Sequence, residues 1–493
     1  MDRRWKILIV VVVLVAGAIY TMSMVRGERR LVHLDEAAWI FDGYYFEMYA
    51  SGDWDTDAWR EFEPYALHPP AAKYLFGIML RFIGEPVRSV EPRRIWNEGD
   101  LDAFRTPEKF LRQVHSNLSH RQLVSARYMA AAFAALAALM LFILAARLFG
   151  AWPALAAFVI LVMHPAYRAV AEIGTADSFI LFMSVSVMLL ALSLGRSLGS
   201  GGASRYAWAA LFAVALGISF ASKLVAFAWV VPAAAFCVHG AGGRKGLARS
   251  IVAVALCAAA GVLIAYVLDP GLHGAPLQYM KERVLWRLER AEIQRIFFVN
   301  VMLRGLADRL CYFFGHTFFS SRLDMVLAAP LFALGALAPF AFRDLRRRGG
   351  LALGCGAFFA ALSIYALHVS WMRYVTMALP FIMLIAACGA RSLAYAARLW
   401  GSWGVAARRA LLGYILVCAF FICAVSQYLG PKFCAVPKPP EPDDLFISRI
   451  FAYSLKEPCK RPKIHKILYE HFMRAGDEKR AARQLECLDG PPK

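Results

Sequence analysis

A chain of 493 residues that is 60% hydrophobic and 18% charged, with a mean hydropathy of +0.51, is too apolar for an ordinary soluble protein and reads as an all-α polytopic membrane protein. Its formal net charge of +20 would admit a nucleic-acid partner, but the Lys and Arg residues fall in short junctions between apolar runs, a membrane-topology pattern that excludes one. Ten cysteines are scattered without a CxxC pair or zinc-like spacing, so no cysteine site is expected.

With ~17 to 25 apolar residues needed per span, about eleven spans are predicted, over 6–25, 123–146, 152–166, 178–195, 206–222, 224–239, 250–268, 326–342, 350–368, 374–390 and 410–428. The first follows MDRRWK, but no small-residue cleavage site succeeds it, so it reads as a retained anchor. Alternate junctions carry Arg3, Arg4 and Lys6, then Arg147, Arg196 and Arg205, then Arg244, Lys245 and Arg249, then Arg343 to Arg348, and Arg391 to Arg409. These are the inside loops. The expectation is a cytoplasmic N-terminus in a bacterial inner membrane, with long external segments over 26–122 and 269–325. Residues 1–429 form the membrane domain, and 430–493 form a small external helical tail after the linker VPKPPEPDD. Cys434, Cys459 and Cys487 of that tail are either three free thiols or include one disulfide.

The first external segment holds the most polar chemistry. Asp35 and Glu36 are adjacent, about 100° apart on a helix, so they need not face the same atom. Ten aromatic residues from Trp39 to Tyr65 follow. Ala38, Phe41, Tyr45 and Met48 recur at helical spacing, as an interfacial helix lying on lipid would have them. His68, Pro69 and Pro70 lead into KYLFGIMLRFIG, where the prolines fix an extended entry to a helix too short to span. Lys73 stands at its start.

Isolated charges mark the outer ends of the spans: Arg127, Arg168, Asp177, Lys223 and Arg373, with Asp35, Glu36 and Lys73. Charge near hydrocarbon is costly, so each is either a functional group or a side chain that reaches back to the interface. Asp177 either caps its helix or faces Asp35 across a cavity, where two carboxylates would share a divalent cation or divide acid and base roles. Lys73, Lys223 and Arg373 suit phosphate. In the second external segment Arg283, Arg287 and Arg290 share a helical face, and the interleaved Glu282, Glu289 and Glu292 make that face either solvated or a contact for anionic headgroups.

LDEAAWIFDGYYFEMYASGDW followed by HPPAAKYLFG resembles the first external loop of the GT-C class of glycosyltransferases, family 39, in which an Asp-Glu pair ends the first span and a Pro-Pro element with a nearby Lys follows. The segments around Arg127, HPAYRAVAEIGTADSF and WMRYVTMALP are similar to later parts of that family, so the resemblance covers residues 6 to 400. His68 before the prolines is closer to the protein mannosyltransferase version than to the aminoarabinose transferases of lipid A.

The resemblance implies a GT-C fold and inverting transfer of a sugar from a polyprenyl-phosphate donor to a lipid, glycan or protein acceptor. Asp35 would be general base. Glu36 and Asp177 would orient the acceptor or a cation, and Lys73, Arg127, Lys223 and Arg373 would hold the donor phosphate. His68 and Arg168 would position the acceptor or the loop. No cofactor is certain, and a divalent cation on Asp35 and Asp177 is one option. Two readings of other classes stand beside it: a polytopic transporter and a non-catalytic assembly subunit.

Overall fold

The computed structural model describes residues 3–25, 34–54, 59, 68–88, 118–201, 203–285, 303, 305–321, 324–367 and 373–399, with 468–469, 472–473 and 476–488 of the tail. Every regular element among these residues is helical. Among the described residues six helices are long and apolar enough to cross a membrane: His120–Phe149, Asp177–Ser200, Leu247–Val267, Asp324–Ala341, Arg343–Ala366 and Leu379–Ala396. A seventh crossing is made if Ala151–Met163 and Pro165–Ala171, bent by 65°, form one span.

This is fewer than the eleven expected from hydropathy. Ile7–Ser23, Ser204–Phe220 and Leu224–Gly240 are apolar but shorter. At ~1.5 Å per residue a 17-residue helix reaches only about 26 Å, at the low end for a span. Hydropathy averages over the breaks that shorten them. The eleventh predicted run, 410–428, lies outside the described residues, as do Arg287 and Arg290, the aromatics Phe62 and Tyr65, and Cys434 and Cys459.

The helices that position the candidate site are, in chain order, α1 (Arg3–Ser23), α2 (Leu34–Phe41), α3 (Tyr44–Ser51), α4 (Ala71–Phe82), α5 (His120–Phe149), α6 (Ala151–Met163), α7 (Pro165–Ala171) and α8 (Asp177–Ser200). They are followed by α9 (Ser204–Phe220), α10 (Val230–Gly240), α11 (Leu247–Val267), α12 (Leu306–Phe318), α13 (Ala329–Ala341), α14 (Arg343–Ala366), the single turn α15 (Arg373–Thr376) and α16 (Leu379–Leu399). Helix α5 is central, packed on α1, α2, α4, α6 and α8. It begins at a capping box in which the Gln122 amide N–H donates to Ser119 Oγ (3.0 Å) and the Ser119 N–H donates to Gln122 Oε1 (3.1 Å). Its buried face is largely alanine, Ala126, Ala130, Ala134, Ala137 and Ala138, which lets neighbouring backbones come close.

Glycine has the same effect where α13 crosses α16. A Cβ at Gly335 would overlap the Ile385 carbonyl, and one at Gly389 would overlap the Leu331 carbonyl. The α6–α7 break falls at His164-Pro165: proline opens α7 without needing an N–H partner, and the His164 Nδ1 caps it by accepting from the Ala166 N–H (3.1 Å).

The amphipathic stripe of the first loop faces protein. Phe41, Tyr45 and Met48 are buried, packed with Trp59, Tyr74, Phe46 and Tyr49 and with the main core. A period of 3.6 shows that one helix face is apolar but does not distinguish lipid from protein as its cover.

Candidate functional site

Four short segments build the site. Helix α2 carries Asp35 and Glu36 on different faces, as their 100° separation dictates. Asp35 projects toward α15, where the Arg373 guanidinium donates a hydrogen bond to Asp35 Oδ2. The side chains keep 32% and 22% of their surface. Arg373 is set by its own turn: Thr376 Oγ1 donates to the Ala166 carbonyl of α7 (3.3 Å), so the α6–α7 break and α15 are fixed together.

The second pair lies beside the first. Asp177 is the first residue of α8, with Ala176 in the N-cap position. Its Oδ1 accepts from Lys223 Nζ at 3.0 Å, with side chains 22% and 20% exposed. Lys223 follows α9 in extended backbone, in a turn where the Ala71 N–H donates to the Ala221 carbonyl (2.7 Å). That bond ties the Pro69-Pro70 entry of α4 to the Lys223 turn. The two pairs share one field: burial disfavours the charge on Arg373, but Asp35, Tyr374 and Asp177 outweigh it and hold its pKa above the ordinary arginine value.

Glu36 and Arg127 lie beneath. Arg127 Nε donates to Glu36 Oε1 (2.8 Å) and Nη2 to Oε2 (2.9 Å), a bidentate pair whose side chains are 4% and 1% exposed. The Gly174 N–H adds a third bond to Glu36 Oε1 (2.7 Å). Gly174 fits because the turn before α8 presses on α5 there: a Cβ would lie 3.0 Å from the Ala126 Cβ and 3.2 Å from its carbonyl carbon. One carboxylate thus fastens α2, α5 and the turn that presents Asp177.

Lys73 is wholly buried, 3.5 Å from Asp42 Oδ2 and 4.3 Å above the Tyr45 ring. Close packing of α3 on α4 allows this, since a Cβ at Gly77 would overlap Phe46 and the Gly43 carbonyl. His68 lies against the Trp39 ring, centroids 5.3 Å apart. Arg168 pairs with Glu172 one turn on, on helix α7, which packs against α15. Arg283, expected on a solvated or headgroup-facing surface, is instead buried and bidentate to Asp269.

The structure therefore brings Asp35, Asp177, Lys223 and Arg373 together, with Glu36 and Arg127 as their support. Sequence reasoning missed Asp42 and Gly174. Asp42 stands two helical turns after Asp35, a signal available in the spacing; a backbone N–H such as that of Gly174 leaves none. Among the described residues no three His, Cys, Asp or Glu converge to hold a metal. An ion bridging Asp35 and Asp177 would have to displace Arg373 and Lys223, so these residues do not fit a divalent cation.

No family model matches the chain, and no curated protein does. Among solved structures the chain is similar to the crystal structure of ArnT from Cupriavidus metallidurans bound to undecaprenyl phosphate, at 17% identity and a TM-score of 0.47, covering 99% of this chain and 76% of that one. It is similar to the apo state of the same protein at 17% identity and a TM-score of 0.48, covering 97% and 74%.

Proposed function

We propose that the protein is a membrane glycosyltransferase of the GT-C type, moving a sugar from a polyprenyl-phosphate donor to an acceptor hydroxyl or phosphate on the extracytoplasmic face of a bacterial inner membrane. The observation that carries this reading is the meeting of two acid–base pairs, Asp35–Arg373 and Asp177–Lys223, from four segments distant in sequence. Each cation is already matched to an anionic oxygen, at a half-exposed site where the headgroup of a lipid-borne donor would arrive.

In this mechanism the donor phosphate competes with the two carboxylates for Arg373 and Lys223. When Arg373 turns to the phosphate, Asp35 is released to take the proton of the acceptor hydroxyl. The acceptor oxygen forms its bond to the anomeric carbon as the carbon–phosphate oxygen bond breaks on the opposite face, and the electron pair leaves with the polyprenyl phosphate. Arg373 and Lys223 neutralise that charge. The product is inverted at the anomeric carbon. Asp177 orients Lys223, and no step runs through a metal.

The buried geometry refines the remaining roles. Glu36 and Arg127 act on each other and position α2 rather than touching substrate. Lys73, enclosed with Asp42 and Tyr45, holds α4 in place. His68, between Trp39 and the Pro-Pro entry, orients the loop, and Arg168 is held by Glu172. The proposed topology keeps the N-terminus cytoplasmic, with the membrane domain over 1–429 and the external tail over 430–493.

The test is transfer from a panel of radiolabelled polyprenyl-phosphate sugars by purified wild type and Asp35→Asn, following acceptor label and released polyprenyl phosphate. Wild type is expected to consume one donor and the variant none. If no donor is consumed even with membrane extract as acceptor source, the transferase reading fails and a transporter or assembly subunit takes its place.

A further inference from the structure

Arg147, Arg196, Arg347 and Arg348 come from three helices. Arg147 lies in the last turn of α5, Arg196 near the end of α8, and Arg347 and Arg348 in the opening turns of α14. Arg196 Nη2 donates to the Arg147 carbonyl (3.1 Å) and Arg348 Nη1 to the Leu148 carbonyl (3.1 Å), while the Arg147 guanidinium donates to Ser193 Oγ. Arg196 lies close enough to feel the charges of Arg147 and Arg348, and His239, at the end of α10, feels Arg348, Arg196 and Arg347.

Capping the end of α5, where the carbonyls are partly negative, accounts for one bond from each of Arg196 and Arg348. It does not account for four exposed guanidinium groups drawn together with no acid among them. Asp344, the nearest acid in sequence, is in no ion pair with any of them among the described residues. A guanidinium carries five N–H donors, so most of the donor capacity here faces outward.

The position of the cluster identifies what would meet it. Arg127 and Arg147 are about 30 Å apart along α5, and Asp177 and Arg196 about 28 Å apart along α8, at ~1.5 Å per residue. Both match the thickness of a bilayer's hydrocarbon core. The candidate site and the basic cluster thus stand at the two headgroup levels of the same helices. Large apolar side chains are exposed in the neighbouring turns: Trp152 at 47%, Tyr206 at 68% and Phe340 at 76%. A ligand with an anionic head and acyl chains satisfies both kinds of surface.

We propose that Arg147, Arg196, Arg347 and Arg348 form a binding site for the phosphate of an anionic phospholipid in the leaflet opposite the candidate active site. The site is independent of sugar transfer, and its test does not read transfer.

The full-length protein is equilibrated with vesicles of phosphatidylcholine, alone or mixed with phosphatidylglycerol, extracted in mild detergent, and its retained phospholipid is counted by native mass spectrometry. Wild type is expected to retain phosphatidylglycerol over phosphatidylcholine. Combined Arg147→Gln, Arg196→Gln and Arg348→Gln should lower that retention by roughly fivefold per guanidinium lost. The corresponding Lys substitutions, which keep the charge, should retain most of it. Arg347→Gln breaks no hydrogen bond among the described residues, so it serves if the triple variant does not fold, with an expected loss of roughly fivefold. The proposal is overturned if wild type shows no preference, or if Arg347→Gln retains as much lipid as wild type. It is also overturned if inorganic phosphate displaces the lipid and raises the melting temperature equally, since the site would then take a soluble anion.

Discussion

Asp35 and Glu36 are neighbours in sequence and opposites in setting. Glu36 is enclosed, bidentate to Arg127 and bonded to the Gly174 N–H. Asp35 retains a third of its side-chain surface and holds Arg373 within the field of Asp177, which pairs with Lys223. One helix turn therefore carries both an ion pair that assembles the fold and one that solvent reaches. A buried pair is costly to break because the remaining charge has neither water nor partner; a half-exposed pair can exchange its partner at little cost.

The largest expected effect comes from splitting these two roles. Asp35→Asn keeps the size of the side chain and removes the base, so transfer should fall about 10²- to 10⁴-fold while the melting temperature in detergent stays near that of wild type. Glu36→Gln should do the reverse. It leaves Arg127 charged and buried, at a cost of about 3 to 5 kcal/mol, seen as lower yield and an earlier unfolding midpoint. Replacing both partners, Glu36→Leu with Arg127→Met, should recover much of that stability, since an apolar pair of similar volume avoids the desolvation of two charges. Equal loss of transfer in Asp35→Asn and Glu36→Gln, without loss of stability, would erase the distinction drawn here.

His316 sharpens the contrast between buried and working groups by pH. It lies on α12 with Nδ1 buried and unpartnered, its ring 4.1 Å from that of Tyr312. Burial, with the field of His164 second, lowers its pKa from 6.5 to about 4. The unfolded chain therefore binds a proton near pH 6.5 that the folded chain refuses until about pH 4. Its contribution to stability is intact above pH 6.5, falls between 6.5 and 4, and changes no further below, amounting to roughly 3 kcal/mol at most. His316→Phe should flatten the unfolding midpoint across that window and leave transfer at neutral pH unchanged. A midpoint that falls equally in both proteins would show that other groups carry the acid sensitivity.

The charged residues of the site were legible because each interrupts or borders an apolar run, where a charge is conspicuous. Their partners were not. Asp177 and Lys223 are 46 residues apart and Asp35 and Arg373 are 338 apart, and a sequence without periodic pairing gives no means of choosing among eight candidates. Burial was equally hidden: Arg127 and Arg373 have the same kind of apolar flank, yet one is locked beneath the site and the other opens onto it. Composition gave the helical membrane class. The lengths of individual helices depended on local breaks, such as the 65° bend at His164-Pro165, that a hydropathy window passes over.

Arg168 provides the smallest effect and a control for the rest. By sequence it resembles Arg373, a lone cation beside an apolar helix. Its guanidinium pairs with Glu172 four residues on, with 42% of the Arg168 side chain exposed. The Glu172 side chain is only 6% exposed, so loss of the cation costs some stability, which a glutamine still able to donate to Glu172 offsets in part. Arg168→Gln should therefore lower the melting temperature modestly and leave the rate of transfer close to wild type, whereas Arg373→Gln, losing the cation proposed to take the donor phosphate, should lower transfer at least tenfold. A loss in Arg168→Gln comparable to that in Arg373→Gln would mean that the substrate path extends along α7, and that exposure beside Asp35 is not what marks the working cations of this protein.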